Sequence, residues 1–394
     1  MPKRRIAILI NTLQAGGAER TVANLLHHLK NQYETHLLLF SNEVDYELPE
    51  GQIVRFLDDG NNTRRDAVNI LKIPVISRRL IRYCEQNEIG LVLSFLPRPN
   101  FVACYAKKKG LRARVLISER IYTPQWYRED TLRGKLGRLL VSRLYPHADA
   151  ILPNSEGTKK ALQDHYGIRG KYNVVKNLIS VKAIHRMKVE LVDDIDFSRF
   201  TFVCVAGFRE QKDHRILIDA FAKVRDKNTQ LLLIGKGALL EKIRSQVASL
   251  NLQERVLFLG HQSNPFKYVA RADCFVLPSD FEGFPNVLIE ALACGTPVIS
   301  TDCLTGPREL LSPSDEMPVP RTTGIEHCKY GILVPVKETN TMAAAMNDMI
   351  DDIALRERFR AVSAERAAEY DHTIVIKEFN SIIDEQLMDG VSEG

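Results

Sequence analysis

The sequence is poor in the features that assign a chain to a class at once. It has no Cys-x-x-Cys pair, and its seven cysteines (84, 104, 204, 274, 294, 303 and 328) are odd in number and scattered. That argues against a disulfide scaffold or a structural zinc site and for reduced thiols in a cytoplasmic protein. It has no long apolar run. Ile6–Ile10 is the longest near the start, and polar Asn11 and Thr12 follow it. A membrane helix needs roughly 18 such residues and a secretory signal about 7–15, so neither is expected. There is no Gly-x-Gly-x-x-Gly, only Gly16-Gly17 and Gly235-Lys236-Gly237, so dinucleotide binding is weakly supported. No metal site is expected either. The Asp-x-Asp at Asp194-Ile195-Asp196 lies in a polar stretch rather than after a strand, and His27, His28, His36 and His147 lack ligand spacing. There is one tryptophan and no basic patch interleaved with aromatics, so nucleic acid is not an expected partner.

What is present reads as globular. The 394 residues are 45% hydrophobic and 26% charged, which suits two domains or one two-lobed enzyme. The net charge of +5 hides an asymmetry: residues 1–190 hold 32 Lys+Arg against 18 Asp+Glu, a balance of +14, while the remainder stands at −9. Either the first half faces a polyanion, such as a phosphate-rich substrate or anionic lipid, or the surface charge is simply uneven.

The pattern along the chain is strand, turn, helix, strand. Arg5–Ile10 reads as a buried strand and Gly16-Gly17 as a turn. Ala18–Lys30 reads as a helix with Val22, Leu25, Leu26 and Leu29 on one stripe, and Thr35–Phe40 as the next strand. Apolar runs follow at Leu91–Phe95, Val115–Ile117 and Ala150–Leu152. The pattern restarts after the polar stretch Val189–Arg199, with strands at Phe200–Ala206, Gln230–Ile234, Arg255–Leu259, Cys274–Leu277 and Pro297–Ser300. The expected fold class is α/β, with two doubly wound Rossmann-like domains at 1–188 and 199–372 and a last helix near 373–387 packing back on the first. Ligands in such sheets sit beyond the carboxyl ends of the strands, so chemistry is expected in the loops there, in a cleft that the two domains face.

The most specific segment is Ser279–Glu290, SDFEGFPNVLIE, in which Glu282 and Glu290 have seven residues between them. Glu282 would lie in a loop after a strand and Glu290 about one turn into a helix begun by Asn286, a good N-cap residue. The helix start would favour a phosphate, and the carboxylates could accept hydrogen bonds from sugar and ribose hydroxyls. Exposed acids at an ordinary helix start remain the alternative on these residues alone.

The run EGFPNVLIEALACGTPVIST resembles the signature of the retaining nucleotide-sugar glycosyltransferases of family 4, which have the GT-B fold. Further matches come in the family's order: GGAER from Gly16, Asn154-Ser155, Asn177, the Gly235–Gly237 loop, TDCLTGPREL from Thr301 and YGILVP from Tyr330. The resemblance implies roles. Glu282 and Lys212 would be catalytic, with Lys212 neutralising the donor diphosphate. Gly283, Phe284, Pro285, Asn286 and Val287 would lie beside sugar and diphosphate, Glu290 would hold the ribose, and Gly260, His261 and Gln262 would border the base. Gly16, Gly17, Gly207 and Gly235 would let backbone approach the donor.

Two departures stand out. The family's arginine five residues before this lysine is Gly207 here, and Arg209 would take its place. Where many members carry a histidine there is Ser118-Glu119-Arg120, similar to a subgroup common in bacterial polysaccharide and lipopolysaccharide assembly. Glu119 and Arg120 would then face donor or acceptor, or else pair with each other. No cofactor is implied beyond the donor, a UDP-sugar. The acceptor implied is a lipid-linked glycan.

One segment bears on membranes. Leu132, Leu136, Leu139, Leu140 and Leu144 fall close to one helical face, with Arg133, Lys135 and Arg138 largely off it. It either docks on anionic lipid, making the protein peripheral on the cytoplasmic side of the membrane, or packs on its own sheet. The resulting expectation is a metal-independent glycosyltransferase moving a hexose or N-acetylhexosamine. The rivals are a nucleotide-sugar epimerase of the same fold and a non-catalytic sugar-nucleotide-binding protein.

Overall fold

The structure is a computed structural model of the chain, and it describes residues 3–14, 16–58, 70–313 and 321–389. The chain folds as two units, Met1–Leu178 with His372–Gly394, and Ile179–Asp371.

The first unit is built on a six-stranded sheet. Its strands are β1 (Arg4–Ile10), β2 (Tyr33–Leu39), β3 (Ile53–Phe56), β4 (Leu91–Phe95), β5 (Arg114–Glu119) and β6 (Ala150–Pro153), in the order β3-β2-β1-β4-β5-β6. All its pairings are parallel. β1 shows why the sequence folds this way. Ile6 to Ile10 are all fully buried, as expected of a strand covered on both faces. Alternate residues serve opposite sides: Ala7 and Leu9 join one core cluster, while Ile6, Ile8 and Ile10 join another. The helix His372–Asp389 closes the second of these clusters with Val375, Ile376, Phe379 and Ile383.

The second unit repeats the plan with seven strands. β7 (Phe200–Val205), β8 (Thr229–Ile234), β9 (Val256–Gly260), β10 (Cys274–Leu277), β11 (Val298–Thr301), β12 (Glu326–His327) and β13 (Ile332–Val334) lie in the order β12-β13-β11-β10-β7-β8-β9. Only the short β12 runs antiparallel to its neighbour. Phe202 and Cys204 face one cluster and Val203 the other. Ile179 and Ile184 are buried in this unit's core with Phe266 and Ala293, so the polar stretch 189–199 lies inside the second unit and not at its edge. All seven cysteines are free and buried, and burial pushes thiols such as Cys84 and Cys204 up to about 12. None of the described helices is long and apolar enough to cross a membrane.

Because β7, β8, β9 and β10 are parallel neighbours, the loops leaving their carboxyl ends share one edge of the sheet. Those loops begin at Ala206, Gly235, His261 and Pro278.

Candidate active site

The edge loops of the second unit converge on one carboxylate. Glu282 is 5% exposed. Its Oε1 accepts a hydrogen bond from Lys212 Nζ at 2.5 Å and another from Ser279 Oγ at 2.6 Å. Its Oε2 lies 3.4 Å from Gln211 Nε2, which also donates to the Phe281 carbonyl at 2.7 Å. The Thr305 hydroxyl donates to the backbone carbonyl of Glu282. A carboxylate removed from water is costly unless it is paired and hydrogen-bonded, and here both conditions are met. Lys212 ends the short 3₁₀ turn Glu210–Lys212. Asp213 follows in the left-handed region at φ 35° and accepts the Ile216 N–H that opens the helix His214–Ala222. Asp213 thus turns the chain sharply right after the lysine.

The other loops are tied to this one through backbone. Phe208 N donates to the Lys236 carbonyl at 3.1 Å, Leu239 N to Phe208 at 3.1 Å, and Gly235 N to Gly260 at 2.8 Å. Gly235 has φ +154°, and a Cβ there would stand 2.1 Å from the Ala206 carbonyl oxygen. Gly207 is different. A Cβ there meets nothing closer than 3.4 Å, and the Arg209 Nε lies 3.6 Å away. Arg209 is exposed, and among the described residues it makes no hydrogen bond or ion pair through its side chain. Its guanidinium therefore lies beside the place from which a side chain at 207 would project. His261 is exposed, and Gln262 is half-buried with its amide on the Leu259 carbonyl at 2.7 Å.

The helix Asn286–Cys294 begins one residue earlier than an Asn286 cap requires. Pro285 is the N-cap, Asn286 is the first helical residue, and no side chain caps the end. A proline cannot offer the oxygen that Asn286 would have supplied there. Glu290 is buried, 7% exposed, on this helix. Gly306, at φ +90°, presses on the segment before the helix, where its Cβ would stand 2.5 Å from Pro285 Cδ.

Two expected site residues lie in the first unit. Glu119 is fully buried in the first unit. Arg120, its neighbour in the chain, attracts it electrostatically. Tyr145 Oη donates to it at 2.6 Å and the Ile121 N–H approaches at 3.4 Å. Burial pushes its carboxyl up to about 7. Arg120 is held by the Ser118 hydroxyl at 2.7 Å, the Val175 carbonyl at 3.1 Å and Asn177 Oδ1 at 2.8 Å, and burial lowers it to about 9. Asn154 Nδ2 reaches the Arg120 carbonyl at 3.4 Å, and Ser155 caps the following helix. The scattered motif residues Asn154, Ser155 and Asn177 thus sit in or beside one polar network that fastens loops to the sheet. Gly16 and Gly17 open the helix Gly17–Leu29, with Tyr46 Oη bracketing the Gly16 backbone at 3.3 and 3.1 Å.

Ser279, Thr305 and Gln211 are the site residues that sequence reading missed. Each lies within or next to a motif, but only the structure shows which side chain turns toward Glu282. Among the described residues, no cluster of three or more His, Cys, Asp or Glu side chains could hold a metal ion.

Two family models cover most of the chain. Residues 15–182 match Glycosyltransferase Family 4 and residues 199–352 match Glycosyl transferases group 1. A Campylobacter jejuni protein, the N-acetylgalactosamine-N,N'-diacetylbacillosaminyl-diphospho-undecaprenol 4-alpha-N-acetylgalactosaminyltransferase, is 33% identical over 376 residues, 95% of this chain and 98% of its own length. The chain belongs to glycosyltransferase family 4. Solved structures agree on the fold of this family 4 glycosyltransferase. Sucrose-phosphate synthase from Thermosynechococcus elongatus superposes with a TM-score of 0.83 at 19% identity, covering 98% of this chain and all of that one. The Anabaena HepE protein, solved with UDP, gives 0.77 at 17% identity, covering 97% of this chain and all of that one. Both are two-domain α/β chains of the GT-B class that the sequence suggests.

Proposed function

We propose that this glycosyltransferase moves an N-acetylhexosamine or hexose from a UDP-sugar to a lipid-linked glycan in cell-surface polysaccharide assembly. The observation that carries the proposal is the buried Glu282 with Lys212, Ser279 and Gln211 around it, at the carboxyl edge of the second sheet. The Campylobacter relative is named for a diphospho-undecaprenol-linked acceptor, which supports the lipid-linked part of the reading. A UDP-bound neighbour of the same fold supports the nucleotide.

In this reading the second unit takes the donor and the first the acceptor. Lys212, with Arg209 beside it, neutralises charge that develops on the departing diphosphate. Glu282 accepts hydrogen bonds from the sugar hydroxyls, and its carboxylate is already oriented for that by Ser279 and Lys212. Glu290 holds the ribose, and Gly260–Gln262 border the base. Transfer proceeds with retention: the acceptor oxygen attacks the anomeric carbon on the face that the phosphate leaves, the C–O bond to phosphate breaks, and a leaving phosphate oxygen takes the acceptor's proton. No protein nucleophile is then needed. A lipid-linked acceptor also places the enzyme at an anionic membrane surface, on the cytoplasmic side where nucleotide sugars are made.

The test is a panel of UDP- and GDP-sugars with purified protein and EDTA, following release and binding of the nucleoside diphosphate. Binding of UDP with release from one donor supports the reading. Failure to bind either nucleoside diphosphate removes the donor site.

A further inference from the structure

The helix Leu132–Leu144 packs the wrong way round for a helix that serves only its own core. Its buried residues are Gly134, Gly137, Val141 and Leu144. The two glycines press on the preceding segment: a Cβ at 134 would stand 1.7 Å from the Arg128 carbonyl oxygen, and one at 137 would stand 2.1 Å from the Tyr127 ring. The larger apolar side chains point outward instead. Leu132 is 86% exposed, Leu139 52% and Leu136 36%. Their spacing of four and then three residues puts them on one stripe, and Arg143 continues that stripe four residues later. Lys135 flanks it on one side and Arg133 on the other. Trp126, 47% exposed, adds its ring beside Arg133, whose guanidinium lies 5.8 Å from the ring centre.

The charge on the helix itself has one sign. The helix contains four basic residues and no acid. The acids just before it are engaged: Glu129 pairs with Arg138, one of those four, at 2.7 Å, and Asp130 with Arg128 at 2.6 Å. Among the described residues, Lys135 and Arg143 are in no ion pair. Burying leucines against another protein would require acids on the partner. A second copy of this chain would instead bring Lys135 and Arg143 against their like. An anionic bilayer meets both demands, since it takes leucine and tryptophan at the acyl boundary and cations at the headgroups.

We infer that the outward stripe Leu132–Leu136–Leu139, with Trp126, Lys135 and Arg143, is the surface by which the enzyme docks on anionic phospholipid. The inference rests on the lipid-linked acceptor proposed above, and it names where the protein meets the membrane that holds that acceptor.

Flotation of the full chain with vesicles tests it, comparing pure phosphatidylcholine with a mixture containing phosphatidylglycerol. Wild type is expected to prefer the anionic vesicles at least about tenfold, since each basic side chain near an anionic surface contributes roughly a fivefold gain. Leu132→Ser with Leu139→Ser is expected to lose most of the bound fraction, and Lys135→Gln with Arg143→Gln to lose the preference for anionic lipid. All four side chains are exposed, so melting temperatures should stay at the wild-type value. Equal flotation of the leucine variant, or no lipid preference in wild type, overturns the inference. So does a wild-type dimer that the leucine variant splits, because the stripe would then belong to a second copy. UDP binding in the same samples separates the two proposals. Lost flotation with UDP still bound removes the docking surface alone, and flotation without UDP binding removes the donor reading alone.

Discussion

Glu282 receives its side-chain donors from two loops that are about 70 residues apart in the chain. That is costly to build for a merely buried acid, and it fixes the carboxylate's orientation before any sugar arrives. A hydrogen bond to a charged group contributes about 1.5–3 kcal/mol. If Ser279 positions Glu282 for the transition state, Ser279→Ala should lower kcat roughly 10- to 100-fold with little change in KM, beyond whatever melting temperature the lost buried hydrogen bond costs. Steady-state kinetics on the accepted donor decide this, and a raised KM at unchanged kcat would assign Ser279 to substrate binding instead. Glu282→Ala should lower turnover more severely than Ser279→Ala. Arg209 allows a sharper test, because a side chain fits at Gly207 and Arg209 Nε lies 3.6 Å from where its Cβ would start. Arg209→Ala should weaken transfer, and adding Gly207→Arg should restore much of it. A double variant no better than the single one would show that Arg209 is a surface residue.

At the scale of elements, glycines that look alike in sequence part company. Gly235→Ala drives a Cβ to 2.1 Å from backbone at a φ of +154° that alanine avoids, whereas Gly207→Ala meets only ordinary contacts. The first should cost roughly 2 kcal/mol or more and weaken nucleotide binding, and the second should change stability by no more than about 0.5 kcal/mol. Chemical denaturation of both variants checks the contrast, and equal costs would mean that the Gly235 loop relaxes freely. The same contrast explains what the sequence could and could not tell. β1, β4 and β10 were legible because strands buried on both faces read as unbroken apolar runs. β3 was not, because Ile53–Phe56 is an edge strand only partly buried and reads like loop. Glu282 and Lys212 were legible as motif residues. Thr305, more than twenty residues beyond Glu282, was not, because only the neighbouring strands β10 and β11 bring its loop back. Glu119 and Arg120 show a limit of another kind. They sit at the carboxyl end of β5, where ligands are usual, yet polar groups there can equally pin loops, and no spacing rule separates the two uses.

In the whole molecule the two units should answer pH in opposite senses. In the first, burial raises Glu119 from an ordinary 4.5 to about 7. As pH rises from 4.5 to 7 the unfolded chain sheds this proton first, so the first unit loses stability on going up and gains it on going down. In the second, burial first and then the nearby Lys212 lower His214 from 6.5 to about 4, where it stacks on Phe208 with ring centres 4.4 Å apart. As pH falls from 6.5 to 4 the unfolded chain takes up this proton first, so the second unit loses stability. Each effect has an upper bound of about 3 kcal/mol. Between pH 6.5 and 4.5 calorimetry should therefore show the first unit's transition favoured and the second's weakened. Other carboxylates titrate in the same window, so the readout is each variant against wild type. Glu119→Gln should remove its share of the slope from one transition only, and His214→Gln from the other. If either substitution moved both transitions equally, the units would unfold as one cooperative body, and a single stability would have to be assigned to the chain.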